Sequence, residues 1–508
     1  MNVLFVSIDS LRRDFLGAYR NRPSVVDYDV ETDNLDRFAE RATVFDTHFA
    51  GSLPCMPARR EWLTGTQEFL WRPWGPIEPF DDPVPQLARD EEILTKLITD
   101  HFHYFQHGSH GYYEDFNGFE FFRGNEYDAW HTSPKEPPAD FIDQILDRET
   151  DPADSMQYLN RHAYARNVAD FTEEEDFFAP KVFSRTAEWL AENQEWDQWF
   201  CYVDSFDVHE PFHVPEPYAS MYTDEDPTDP EMPIWPYYGR TDEGQSKVTD
   251  RQLDFVRSQF AGNVTMIDQW FGRVLDTLDE QGLWDETMVV VTSDHGFALG
   301  DHGWMGKNDF TLYDVIARTP LLVWHPDQTA GGRVSALTTA VDLYATVLDS
   351  LDVPMPSETH SRSLMPLVRG DTTDHRDYVL FGYWGSSINV TDGEYAYYRP
   401  PVAGSETACY SMSLINPHSW FTPPTVRSDA DAGEYLPYTE STVWRYNADS
   451  WLQHGDERLY ETGRDAPQET NLVNDETTTA DRMRTLLKRG LGDLDAPPTQ
   501  WARLGLTR

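Results

Sequence analysis

Asn2-Val3-Leu4-Phe5-Val6-Ser7-Ile8-Asp9 is an apolar run that ends in an acid. A short run rich in branched and aromatic residues, without polar alternation, is the pattern of a strand buried on both faces, and it delivers Asp9 at its carboxyl end. Similar runs recur at Leu94–Thr99, Phe200–Ser205, Met288–Thr292 and Leu321–Trp324, each bounded by polar or turn residues. Helical patterns lie between them. The clearest places Val264, Ile267, Phe271, Val274 and Leu278 at spacings of three and four, which makes one apolar stripe. Alternating strands and helices predict an α/β fold with a large, mostly parallel central sheet flanked by helices, and ligands beyond the carboxyl ends of the strands. Leu343–Leu351 reads as another helix. After the turn-rich Pro354–Arg362 the pattern changes to short aromatic strands such as Tyr378–Tyr383 and Glu394–Arg399. Two domains are therefore expected: 1–373, and a smaller α+β unit at 374–508 with an antiparallel sheet. Ser133–Asp154 and Glu216–Gly244, rich in Pro, Asp and Glu, lack periodicity and read as long surface excursions.

The chain has 508 residues, with 40 Lys+Arg against 88 Asp+Glu, for a formal net charge of −48. Hydrophobic residues at 39% and aromatics at 14% supply a buried core and exclude disorder as the main state. So few cations cannot neutralise a run of phosphates, which argues against nucleic acid and anionic membrane as partners. Lysine occurs only at positions 96, 135, 181, 247, 307 and 488. This balance reads as halophilic adaptation, since molar salt shortens the Debye length to about 3 Å and suppresses self-repulsion. Cys55, Cys201 and Cys409 cannot build a disulfide framework, and the chain shows no signal peptide or membrane-length apolar run. A cytoplasmic location is expected, with Cys201 and Cys409 acting as small apolar residues.

The most informative motif is Cys55-Met56-Pro57-Ala58-Arg59, followed by Leu63-Thr64-Gly65. Pro57 suits the first turn of a helix, so Cys55 sits at a positive helix end and Arg59 adds a guanidinium, a combination suited to sulfate or phosphate. Alone, this pattern is more simply a buried structural cysteine. It is not alone: Thr292-Ser293-Asp294-His295-Gly296 follows one apolar strand and Asp9 ends another, so three candidate metal ligands can converge at one sheet edge. Gly300-Asp301-His302-Gly303 leads to Lys307, conspicuous in a chain so poor in lysine. Phe69-Leu70-Trp71-Arg72-Pro73-Trp74 reads as packing in preference to a sugar platform.

Together these motifs resemble the sulfatases of the alkaline-phosphatase superfamily. Asn34-Leu35-Asp36-Arg37, Thr319-Pro320-Leu321-Leu322-Val323, Asp342-Leu343, Ser363-Leu364 and Glu469-Thr470-Asn471-Leu472 occur in the family's order, and Ala58 replaces its commoner serine. The resemblance implies an alkaline-phosphatase-like fold. It also implies conversion of Cys55 to formylglycine by a formylglycine-generating enzyme, the hydrated aldehyde being the nucleophile toward sulfur. Asp9, Asp294, His295 and the modified Cys55 would hold one divalent metal. Arg59 would steady the hydrate and sulfate oxygens, and Lys307 would contact the sulfate or its bridging oxygen. In Tyr202-Val203-Asp204-Ser205-Phe206-Asp207-Val208-His209, the last residue is the candidate general acid, since an unperturbed histidine titrates near 6.5. Thr99-Asp100-His101-Phe102-His103 replaces a Lys-x-His segment, so that His103 would assist breakdown of the intermediate and His101 contact sulfate. His107 and His110 read as solvent-exposed.

Calcium is the metal expected by family. The imidazole of His295 brings Mn2+, Zn2+ or iron into range, with Mg2+ a further oxygen-site candidate. The expected activity is hydrolysis of small-molecule or glycan sulfate esters. Asp9-Ser10 and Asp294-His295, in place of the family's acid pairs and Asp-Asn, also resemble phosphonate monoester and phosphodiester hydrolases, the alternative activity. A third reading, a non-catalytic anion- or glycan-binding relative, requires Cys55 to remain a thiol.

Overall fold

The computed structural model describes residues 1–20, 23–106, 109–131, 135–145, 156–242, 244, 246–308, 310–328, 331–415, 428–448 and 455–508. His107 and much of Ser133–Asp154 lie outside them; His110 is exposed.

The central sheet has eight strands. Across it run Gly332–Val334, Thr43–Phe45, Leu321–Trp324, Thr287–Thr292, Asn2–Ile8, Trp199–Ser205, Leu94–Thr99 and Gly118–Phe121. The five from Thr287–Thr292 to Gly118–Phe121 are mutually parallel. Leu321–Trp324 is the exception to a mostly parallel sheet, pairing antiparallel with both of its neighbours. Its apolar run predicted burial correctly, but strand direction is set by the connection and leaves no mark on composition.

Alternation along Asn2–Ile8 explains the layers. Leu4, Val6 and Ile8 face a core with Val264, Ile267 and Phe271 of the long helix Asp250–Glu280 and Val182 and Phe183 of the helix Phe178–Asn193. Val3 and Phe5 face the opposite core, with Met56 and Trp62 of the helix Cys55–Thr64 and Leu343 and Leu348 of the helix Asp342–Leu351. Both faces are therefore dry, as continuous apolar strands require.

A second sheet orders Arg458–Glu461, Tyr395–Arg399, Ile388–Thr391, Val379–Tyr383 and Ser52–Leu53. Its C-terminal strands are antiparallel, while Ser52–Leu53 joins Val379–Tyr383 in parallel. The strand that leads into Cys55 is thus anchored by residues more than 300 positions later. The helix Thr477–Asp493 covers this sheet through Met483, Leu487 and Leu491, in a core shared with Phe69, Leu70 and Trp71.

The stretch Glu216–Gly244 departs from a plain surface excursion. Met232, Ile234 and Trp235 are buried with Ile142, Ile145 and Phe255, and Gly239–Arg240 pairs with Trp304–Gly306. A few apolar side chains suffice to pin a segment whose average composition is polar.

Candidate functional site

Parallel strands bring their following residues to one edge. Register pairs Ser7 with Asp204 and with Thr292, and Thr99 with Asp204, so Asp9, Asp294-His295 and His101 all emerge at that edge. The helix starting at Cys55 points its N-terminus there, where the first N–H groups of any helix lack internal acceptors. Asp9, Cys55, Asp294 and His295 converge: one potential ligand atom from each lies within 4.8 Å of all the others, and all four residues are buried. Cys55 Sγ is 3.2 Å from His295 Nε2. Asp294 Oδ1 accepts the backbone N–H groups of Ser10 (3.0 Å) and His295 (2.8 Å).

Arg59, one turn into the helix, ties these parts together. Its Nε and Nη2 donate to the two oxygens of Asp204, each at 2.8 Å, and Nη1 donates to Asp294 Oδ2 (2.6 Å) and to the Cys55 carbonyl (3.1 Å). Asp9 Oδ2 is 3.0 Å from Nη2. Burial alone would raise Asp204, but Arg59 and a hydrogen bond from His101 hold it well below the usual carboxylate range. Burial and the facing Asp294 push Asp9 up. Asp294 stays ionised because His295 and Arg59 outweigh the effect of burial. Burial, reinforced by Asp9, pushes the Cys55 thiol up, so an unmodified sulfur here stays protonated and is a weak nucleophile.

Lys307 forms the wall opposite. Its Nζ lies 3.4 Å from Ser10 Oγ and 3.9 Å from Asp9 Oδ1, and Tyr383 donates to its carbonyl at 2.6 Å. Burial disfavours the ammonium, but the acidic groups around it, Glu210, Asp9 and Asp294 among them, keep it charged.

Three histidines complete the surround. His101 Nδ1 is 3.1 Å from Asp204 Oδ2, and its Nε2 is 2.8 Å from His103 Nδ1. Because ionised Asp204 can only accept, His101 carries its proton on Nδ1 and accepts the His103 Nδ1–H at Nε2, which fixes both tautomers. Burial and Arg59 lower His101 to about 4, and burial lowers His103 as well. The sequence expectation was that His101 contacts sulfate; in the structure its two ring nitrogens are engaged by Asp204 and His103. His103 Nε2 is 3.3 Å from Glu126 Oε2. The His209 ring lies 6.4 Å from that of His103, and its Nδ1 donates to the Glu210 carbonyl at 2.8 Å. Burial and Lys307 lower His209 well below its ordinary value, so it rests neutral in the free protein.

The sulfatase family model matches residues 1–353, which contain every residue named above except Tyr383. The chain belongs to the sulfatase family. As a sulfatase it is a hydrolase with the alkaline-phosphatase-like fold. It is 26% identical to the multifunctional alkaline phosphatase superfamily protein PehA of Trinickia caryophylli, over 75% of this chain and 80% of that one. It is 22% identical to an arylsulfatase of Clostridium perfringens, over 94% and 90% of the two chains. Among solved structures, the phosphonate monoester hydrolase of Silicibacter pomeroyi superposes with a TM-score of 0.64 at 20% identity, covering 97% of this chain and 95% of that one.

Within this sulfatase, sequence reasoning passed over Asp204, Tyr104, Glu126 and Glu210. Asp204 carried the same signal as Asp9, an acid near the end of an apolar strand, and Arg59 needed a counter-charge. Tyr104, whose hydroxyl donates to Asp204 at 2.8 Å, and Glu126 sit in polar surroundings that give no pattern. Trp74 packs edge-on to His103 with ring centroids 4.8 Å apart, and its indole N–H donates to Ser109 Oγ at 2.7 Å, a packing role as expected. Cys201 and Cys409 are buried free thiols inside strands. Among the described residues no helix is long and apolar enough to cross a membrane.

Proposed function

We propose that the chain hydrolyses sulfate esters with formylglycine derived from Cys55, in a site completed by one divalent cation on Asp9, residue 55, Asp294 and His295. The observation that carries this reading is the convergence of those four residues within 4.8 Å, braced by Arg59. The donor set fits a cation. Asp9 Oδ2 is buried and accepts no hydrogen bond, although Arg59 Nη2 stands beside it, and burial with the facing Asp294 raises the cost of ionising Asp9. Around residue 55 the carboxyl groups of Asp9, Asp204 and Asp294 stand beside the cations Arg59 and Lys307, and a doubly charged ion would shift that balance toward accepting an anion. Calcium is the family's expectation; the imidazole also suits manganese or zinc.

Held by Asp9, residue 55, Asp294 and His295, the cation would supply Lewis-acid chemistry toward the nucleophile and the sulfate. The formyl group supplies, once hydrated, a hydroxyl nucleophile and a second hydroxyl through which sulfate can be released. The chain's own residues do the rest. Arg59, held on two sides by Asp204 and Asp294, has no freedom to swing and fixes the geometry at residue 55. Lys307 binds sulfate oxygens or the bridging oxygen. His209 delivers the proton to the leaving alcohol: a bound anionic ester favours the imidazolium that Lys307 disfavours in the free protein. His103, oriented through His101 by Asp204, is placed to take a proton as the sulfate is released.

Small-molecule and glycan sulfate esters are the substrate classes. A second reading, hydrolysis of phosphonate monoesters or phosphodiesters, is favoured by the imidazole of His295 in the donor set and by the likeness to the multifunctional PehA protein. Paired aryl sulfate and aryl phosphonate esters, assayed before and after chelation, separate the two. Sulfate-ester turnover that dominates and vanishes with the metal is expected; turnover of the phosphonate alone would overturn the first reading.

A further inference from the structure

Beside the catalytic cluster stands a second group of potential ligands. Glu126, His209 and Glu210 each bring one ligand atom within 4.8 Å of the other two. They are 5%, 4% and 4% exposed. Glu126 Oε2 and Glu210 Oε2 are buried and accept no hydrogen bond. His103 Nε2 lies 3.3 Å from the first and the protonated His209 Nδ1 3.2 Å from the second, and the charge of Lys307 acts on both carboxyls. The remaining bonds hold the group in place. Tyr238 donates to Glu210 Oε1 at 2.6 Å, and the Glu210 carbonyl takes the His209 Nδ1–H at 2.8 Å, which leaves the lone pair of that ring on Nε2.

A buried carboxylate oxygen with no donor is unfavourable unless a proton or a cation meets it. Two carboxylates so close compound the cost. Calcium and magnesium prefer all-oxygen donors, whereas an imidazole in the set favours zinc or manganese. One imidazole and two carboxylates match the three protein ligands of an open tetrahedral zinc site, whose ligand atoms stand about 3.4 Å apart.

We infer that Glu126, His209 and Glu210 form a second cation site that takes zinc, and that zinc bound there inhibits hydrolysis by occupying the imidazole that gives its proton to the leaving alcohol. The binding half stands on the donor geometry alone; the inhibitory half rests on the role of His209 proposed above. Proton and zinc compete for one lone pair, so inhibition is relieved by chelation and involves no change in fold.

The test is a zinc titration of the metal-stripped chain by calorimetry, with bound metal counted by elemental analysis. The wild type is expected to bind two equivalents, Glu126→Gln one and Asp294→Asn one, with circular dichroism unchanged. Should Glu126→Gln fail to fold, Glu210→Gln provides the same comparison. A single equivalent in the wild type, or equal counts in the wild type and the Glu126 variant, overturns the site. For inhibition, zinc added to the calcium- or manganese-loaded enzyme is expected to lower sulfate-ester turnover at least tenfold, and Glu126→Gln to require at least tenfold more zinc. Full occupancy with undiminished turnover overturns the inhibitory half. Absence of any sulfate-ester hydrolysis refutes the hydrolytic reading and leaves the zinc count to decide the site.

Discussion

Replacing Asp204 with asparagine removes one charge and keeps the shape. Its two oxygens receive Nε and Nη2 of Arg59 at 2.8 Å each, Ser7 Oγ at 2.5 Å, Tyr104 Oη at 2.8 Å and His101 Nδ1 at 3.1 Å. Arg59 and Asp204 are fully buried, and removing one partner of such a pair costs about 3–5 kcal/mol. Asparagine retains one acceptor oxygen, and Arg59 keeps Asp9 and Asp294, which places the expected loss near the lower bound, about 3 kcal/mol. For a chain of this size that corresponds to a fall in Tm of roughly 3 °C. The chemistry suffers independently. Arg59 loses one of its two braces, and His101 loses the acceptor that fixes its tautomer and, through it, that of His103. Misplacement of about 1 Å in positioning groups costs about 100-fold, so kcat/KM on an aryl sulfate ester is expected to fall by about two orders of magnitude. The assay pairs thermal unfolding with steady-state kinetics on enzyme whose residue 55 has been verified as converted, so that failed maturation is not mistaken for lost catalysis. A variant with Tm within a degree of wild type and kcat/KM within threefold would refute the bracing argument.

Lys307→Ala removes the ammonium that faces the anion and should lower kcat/KM by about 100- to 1,000-fold with little change in Tm, as read by kinetics and scanning calorimetry. Glu61, fully buried in the helix that begins at Cys55, is pushed up by burial from 4.5 to about 8. Its contribution to stability is complete below the unfolded value of 4.5 and is lost as pH rises through about 8. Denaturant unfolding should therefore show Glu61→Gln gaining on the wild type by up to about 4 kcal/mol between pH 5 and pH 9; a gap independent of pH contradicts this. The net charge of −48 predicts a Tm that climbs as KCl rises from about 0.1 M toward several molar, because screening shortens the range of self-repulsion; a flat or falling curve removes the halophilic reading.

What the sequence disclosed follows a physical division. Burial on both faces writes itself into composition, so Val3–Ile8, Phe200–Ser205 and Met288–Thr292 were legible as strands, and the meeting of Asp9 with Asp294-His295 at one sheet edge followed from them. The stripe through Val264 and Phe271 was legible for the same reason, now at helical period. Direction was not, because Leu321–Trp324 has the same apolar content whether it runs with or against its neighbours. The pairing of Ser52–Leu53 with Val379–Tyr383 was also hidden, since two residues carry no period and the partner strand lies far along the chain. Arg59 was visible through its motif, whereas its main counter-ion, Asp204, emerged only when register placed Ser7, Asp204 and Thr99 side by side. His101 shows the limit from the other side. Its position in a family-like segment suggested contact with sulfate, but its ring nitrogens are committed to Asp204 and His103. Glu126 and Glu210 gave no signal, because acids in a chain this acidic are the background.

The most direct test is mass spectrometry of the peptide spanning Cys55, taken from catalytically active enzyme purified from its native host. The expected result is an aldehyde, seen as formylglycine or its hydrate, in a fraction that rises with specific activity across preparations. Full activity in protein whose residue 55 is entirely an unmodified thiol would contradict the account at its centre.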